Sequence, residues 1–161
     1  MRIAVVGATG EVGRMMTRVL QERGVKPGGI DFYASARSAG ATVEFHGEVH
    51  RVKELTRGAM EEGYDYLLFS AGGAVSREFA PTAAASGSVV IDNSSAFRMD
   101  PAVPLVVPEI NGDLLRGYGS GVVANPNCST IQMVLSLYRV HERFGLDTIV
   151  VSTYQAVSGA G

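Results

Sequence analysis

Short apolar runs alternate with stretches of helical spacing along this chain, and the alternation predicts its elements. Ile3 to Val6 is uniformly apolar, as in a strand buried on both faces. Val12, Met15, Met16, Val19 and Leu20 follow at helical spacing, and Gly24 suits that helix's C-terminal end. Ile30 to Ala34 reads as a second strand and Tyr66 to Phe69 as a third, followed by a helix through Phe79 to Gly87. Val89 to Ile91, Leu105 to Val107 and Val122 to Ala124 are further strand candidates. A helix from about Ser129 to Phe144 would bury Ile131, Val134, Leu135 and Tyr138. A last strand, Thr148 to Tyr154, leads into Ser158-Gly159-Ala160-Gly161. Apolar strands separated by helices imply an α/β, Rossmann-like fold: a mostly parallel sheet with helices on both faces. The last strand and its glycine-rich tail follow a finished unit and read as the beginning of a second α+β domain.

Composition narrows the class. The 161 residues suffice for one domain with a core, and 46% hydrophobic with 19% charged residues is a globular balance. Twenty glycines, clustered at candidate turns, indicate tight loops rather than disorder. A formal charge of −2 gives no footprint for nucleic acid or an acidic membrane surface. No signal-peptide core or membrane-spanning run stands out, so a cytoplasmic location is expected. The single cysteine excludes an internal disulfide, and no second thiol accompanies it for a zinc site, so no metal is expected.

Two loops carry candidate chemistry. Gly7-Ala8-Thr9-Gly10-Glu11-Val12-Gly13 lies between a strand and a helix, where backbone can approach a pyrophosphate and helix N–H groups can bind it. Its spacing is GxxGxxG rather than the GxGxxG common in NAD sites. An NAD site also places an acid at the end of the second strand; here that strand ends in Ser35-Ala36-Arg37-Ser38, and Asp31 stands at its beginning. Arginine with serines suits a 2′-phosphate, which favours NADP over NAD. Ser70-Ala71-Gly72-Gly73 closes the next strand on the same edge, with small residues against which a cofactor can lie.

The other loop is Ala124-Asn125-Pro126-Asn127-Cys128-Ser129-Thr130, between a strand and a long helix. A cysteine alone is by default a small buried hydrophobe. At a helix start, though, free N–H groups and the helix dipole stabilise a thiolate, and the same N–H groups can receive an oxyanion. A thiolate beside a nicotinamide suggests attack on an aldehyde or acyl phosphate, with a thioester intermediate. None of the three histidines suits the accompanying acid/base role. His46 and His50 lie in a polar stretch, and His141 is far along the helix.

Taken in order, GATGEVG, SARS, VIDNSSAFR (Val90 to Arg98), VPLVVPEIN (Val103 to Asn111), ANPNCSTIQ and STYQAVSGAG resemble aspartate-semialdehyde dehydrogenases along essentially the whole chain. The resemblance implies reversible, NADP-dependent conversion of L-aspartyl 4-phosphate to L-aspartate 4-semialdehyde and phosphate, on the route to lysine, methionine and threonine. It implies Cys128 as acyl-accepting nucleophile, with Arg98 and Asn127 on the substrate phosphate and Gln155 orienting the substrate. Gly7, Thr9, Gly10, Glu11, Val12, Arg37, Ser38, Ser70, Gly72, Ser158 and Gly159 would contact NADP. Residues 1–144 would form the NADP-binding domain, including the nucleophile loop and its helix, and 145–161 would begin a substrate and dimerisation domain. Family members run considerably further, with a catalytic histidine, a substrate-carboxylate arginine and most of a homodimer or homotetramer interface in the extension. The chain therefore reads as a portion of a longer enzyme. N-acetyl-γ-glutamyl-phosphate reductase is the nearest alternative. It usually has glycine before the cysteine and an aromatic residue and proline after it, where this chain has Asn127 and Ser129-Thr130. A non-catalytic NADP-binding module is the alternative from another class.

Overall fold

A computed structural model describes residues 1–155. In chain order these form β1 (Arg2–Val6), α1 (Glu11–Glu22), β2 (Gly29–Ala34), β3 (Thr42–Phe45), β4 (Glu48–Arg51) and β5 (Lys53–Glu54). Then follow α2 (Arg57–Met60), β6 (Tyr66–Phe69), α3 (Gly73–Ala85) and β7 (Val89–Asp92). α4 (Pro108–Asn111), β8 (Gly121–Ala124) and α5 (Cys128–Phe144) complete the set. Six strands make one sheet in the order β5-β2-β1-β6-β7-β8, and every pairing is parallel. The Rossmann-like architecture is thus the one expected, with the chain reversing its direction of travel beside β1. No described helix is long and apolar enough to cross a membrane.

β1 is central and, from Ile3 to Val6, buried on both faces. On one face Ala4, Val6, Leu67, Phe69 and Val90 pack under Ala80 and Ala83 of α3 and Met60 of α2. On the other, Val5, Phe32 and Ala34 meet Phe45 and Val52. Phe45 comes from a β3–β4 hairpin that the sequence reading lacked. Its turn, His46-Gly47, has φ of 50° and 82°, the doubly left-handed geometry of a two-residue hairpin.

Four expectations need correction. Leu105 to Val107 is not a strand: Leu105 makes one isolated parallel bridge to Ala124. Pro104 and Pro108 bracket the segment and, lacking N–H groups, cannot extend a ladder. Thr148 to Tyr154 is irregular and exposed, because no described strand lies alongside to pair its backbone. The α5 stripe is not buried: Ile131, Val134 and Tyr138 are half-covered, Leu135 is exposed, and α4 is the helix's chief neighbour. On α1 the helix forms as expected, but its buried residues are Gly13 and Thr17, while Val12, Met15 and Val19 face outward. The close crossing at Gly13, described below, turns that face to the sheet.

At the opposite end of β2 from the arginine, Asp31 accepts hydrogen bonds from Tyr64 Oη (2.7 Å) and pairs with Lys53 Nζ (2.7 Å) and Arg2 (3.6 Å). Burial pushes its carboxyl up, but the Lys53 and Tyr64 hydrogen bonds and the two cationic charges together leave it below the ordinary value. A depressed carboxyl pKa contributes stability that is present above the unfolded pKa, about 3.9, and is lost as pH falls through the folded value. Asp31→Asn should therefore lower the unfolding free energy by about 1–2 kcal/mol at pH 7. The gap from the parent should close as pH is taken below about 4. Denaturant melts across pH 2–8 measure it; a gap independent of pH would remove the charge from the explanation.

Candidate active site

Because all six strands are parallel, the turns after β1, β2, β6, β7 and β8 leave the sheet at one edge. The turn after β1 is held tightly. Gly7 and Ala8 donate their N–H groups to the Tyr33 carbonyl at 2.9 and 3.1 Å, and Gly7 has φ +83°. A Cβ on Gly7 would stand 2.8 Å from the Ser70 carbonyl group, and one on Gly13 would collide with the Gly7 carbonyl oxygen. Glycine is thus required where β1, α1 and the β6 turn cross.

Between these turns lies a cleft of about 690 Å³. Gly7, Thr9, Gly10, Glu11 and Val12 line one side, Arg37 and Ser38 another, and Ser70 and Gly72 a third. These are the nine described residues expected to contact the cofactor. Two helices start here uncapped. The α1 ladder begins with Arg14 N–H on the Gly10 carbonyl, and the α3 ladder with Ser76 N–H on the Gly72 carbonyl. Gly10 and Gly72 bring no side chain to cap the N–H groups that precede. Two positive helix ends and the exposed Arg37, which pairs with no carboxylate among the described residues, set anion-binding groups around the cleft, with Glu11 as the acid in the same lining. That donor set fits a dinucleotide pyrophosphate with a further phosphate at Arg37.

The thiol loop follows β8, two strands beyond β6. Cys128 is exposed and is the first residue of α5. Asn127 caps this helix: its Oδ1 accepts from Ser129 N–H (3.0 Å) and Thr130 N–H (3.3 Å). Ile131 N–H reaches the Asn127 carbonyl. Of the helix-start donors expected to receive an oxyanion, the Cys128 N–H remains free of these bonds, and the Asn127 Nδ2 beside it is a further free donor.

Arg98 comes to the same loop from the turn after β7. Its Nε donates to the Asn125 carbonyl (2.9 Å) and an Nη2 proton to the Asn93 carbonyl (3.0 Å). The guanidinium is half-buried and has no carboxylate partner among the described residues, so its charge stays available to an anion. Arg98 thus meets, at Asn125, the loop that carries Asn127 and Cys128. Gln155 ends an irregular, exposed tail without a hydrogen bond to that group, and Ser158 and Gly159 lie outside the described residues. His46 bonds the Val25 carbonyl and the Gln21 side chain, and His50 lies against Phe32 and Phe45. His141 is thirteen positions along α5 from Cys128, roughly 20 Å at the helical rise.

Comparison with known proteins agrees with this geometry. Residues 2–118 match the family model described as semialdehyde dehydrogenase, NAD binding domain. The chain belongs to that family. The matched domain is a nicotinamide dinucleotide-binding one, and its span includes every residue named above in the cleft. Aspartate-semialdehyde dehydrogenase of Aquifex aeolicus is 53% identical, over 99% of this chain and 47% of its own. The Bacillus subtilis protein of that name is 50% identical, over 100% and 46%. The chain thus spans about half the length of these curated relatives. A crystal structure of aspartate semialdehyde dehydrogenase II from Vibrio cholerae superposes with a TM-score of 0.92 at 45% identity, covering 99% of this chain and 48% of that one.

Sequence reasoning missed the polar residues behind Arg98. Asp92 is fully buried, and Asn93 and Asn125 join their side-chain amides. The signal was present: an acid closes the otherwise apolar strand Val89-Val90-Ile91.

Proposed function

We propose that the chain is the NADP-binding and nucleophile-bearing part of an aspartate-semialdehyde dehydrogenase, interconverting L-aspartyl 4-phosphate and L-aspartate 4-semialdehyde. One observation supports this above others: a single sheet edge carries the cleft at β1 and β6, Arg98 after β7 with no carboxylate partner among the described residues, and the exposed Cys128 after β8.

Each residue then has a chemical role. The Cys128 thiolate attacks the C4 carbonyl of aspartyl phosphate, and the oxyanion accepts from the Cys128 N–H and the Asn127 amide. The carbon–oxygen bond to phosphate breaks, a thioester forms on Cys128, and Arg98 and Asn127 hold the departing phosphate. A bound nicotinamide supplies the hydride for reduction of the thioester. Collapse of the resulting thiohemiacetal releases the aldehyde and returns the thiolate. Gln155 orients the substrate, Arg37 and Ser38 take the 2′-phosphate of NADP, and Ser158 and Gly159 add contacts to it. Residues 145–161 begin a substrate and dimerisation domain of a cytoplasmic homodimer or homotetramer.

Intact-mass measurement after exposure to L-aspartyl 4-phosphate tests the reaction. One aspartyl group should appear on the parent chain and none on Cys128→Ser. Labelling instead by N-acetylglutamyl phosphate alone would assign the chain to the neighbouring reductases, and labelling by neither would leave a binding module.

For the cofactor, NADP(H) should bind more tightly than NAD(H). Arg37→Ala should lose about 1.5–3 kcal/mol of NADP(H) affinity, roughly tenfold to a hundredfold, with NAD(H) affinity little changed. Equal titrations of both cofactors into the parent chain would remove the 2′-phosphate assignment.

A further inference from the structure

Asp92 is the last residue of β7 and is wholly buried, yet no cation pairs with it among the described residues. A carboxylate in that setting is costly unless donors surround it. Here three neutral donors do. Ser76 Oγ on α3 donates to Oδ1 at 2.7 Å, the Ser94 N–H to Oδ1 at 3.0 Å, and Ser94 Oγ to Oδ2 at 2.7 Å.

An ionised carboxylate only accepts, so both hydroxyl protons are turned toward it. The Ser94 oxygen is then free to accept from the Ala96 N–H, at 3.1 Å. This pins the turn 93–96, from which Phe97 packs against the core and Arg98 emerges. Arg98 in turn bonds the Asn93 and Asn125 carbonyls, and the Asn125 side chain bonds that of Asn93. The Asp92 carbonyl accepts the Asn125 N–H at 2.8 Å. Asn125 is three residues before Cys128, so the guanidinium is anchored within roughly 11 Å of chain from the thiol.

We infer that Asp92 is a positioning residue, whose buried carboxylate, through Ser94, fixes the direction in which Arg98 presents its charge beside Cys128. This rests on the reading of Arg98 as the anion-binding group. Asparagine would satisfy packing and the Ser94 N–H equally well. Its amide, however, would donate where Ser94 now donates, so the Ser94 hydroxyl proton must turn away and the charge-assisted bond that orients this oxygen toward Ala96 is lost.

Cys128 is the only cysteine, so alkylation rates report on it alone. The test is the rate ratio of anionic iodoacetate to neutral iodoacetamide on the 161-residue chain, beside thermal unfolding of each variant. Arg98→Ala should lower the ratio about threefold, the size of one unit charge acting over roughly 6 Å through water. Asp92→Asn and Ser94→Ala should lower it by a similar factor with little change in the iodoacetamide rate, and Ser94→Thr should restore it. Removing the Asp92 charge would by itself favour the anionic reagent, so a fall in the ratio identifies positioning rather than simple charge. If Asp92→Asn does not fold, Ser94→Ala decides. A fall for Arg98→Ala with an unchanged ratio for the foldable Asp92 and Ser94 variants overturns the inference and leaves the anion site standing. An unchanged ratio for Arg98→Ala overturns both.

Discussion

Parallel pairing of all six strands is the constraint from which the rest of the structure follows. Each strand that leaves the sheet upward must return below it before the next can pair, so the strand-to-helix turns collect along one edge. Chemistry-bearing residues far apart in the chain, from Gly7 to Cys128, are brought together there without a dedicated contact between them. The reversal of strand order beside β1 parts the turns after β1 and β6 and opens the cleft between them. Glycine completes the arrangement: at Gly7 and Gly13 side chains would strike backbone, so three chain segments cross at van der Waals distance.

Electrostatics divides this edge into two parts. Around the cleft, α1 and α3 present uncapped starts and Arg37 adds a charge with no carboxylate partner among the described residues, all attractive to phosphate. At the thiol loop, Asn127 caps α5 and narrows the free donors to those nearest Cys128. Arg98 supplies the positive charge there, held by carbonyl oxygens rather than by a carboxylate that would neutralise it. A guanidinium fixed in this way keeps its charge for an anionic ligand.

Much of this was legible in the sequence because each feature had a local cause. Uniformly apolar runs such as Ile3 to Val6 marked strands buried on both faces, and glycine spacing marked the phosphate turn. An arginine rather than an acid at the end of the second strand was visible too, and Arg37 lines the cleft. Cys128 was placed at a helix start, but the Asn127 cap that occupies the Ser129 and Thr130 N–H groups was not foreseen. Features set by partners distant in sequence were less visible. Helical periodicity on α1 and α5 located the helices but not the environment of their apolar stripes, because periodicity says nothing about what stands opposite. The β3–β4 hairpin was hidden because His46 and Gly47 are not the usual hairpin pair. Thr148 to Tyr154 has strand-like composition, but pairing, not composition, makes a strand. The Asp92 network was missed because its partners Ser76 and Asn125 are sixteen and more residues away and meet only in the fold.

Amide hydrogen exchange on the 161-residue chain with and without saturating NADPH tests the central claim, that the sheet edge between β1 and β6 is a dinucleotide site. The expected result is slowed exchange at residues 8–13, 35–38 and 71–75, where unbonded helix-start N–H groups and the Arg37 turn meet the ligand. Unchanged exchange in all three segments, or protection confined to the β3–β4 hairpin, would contradict it.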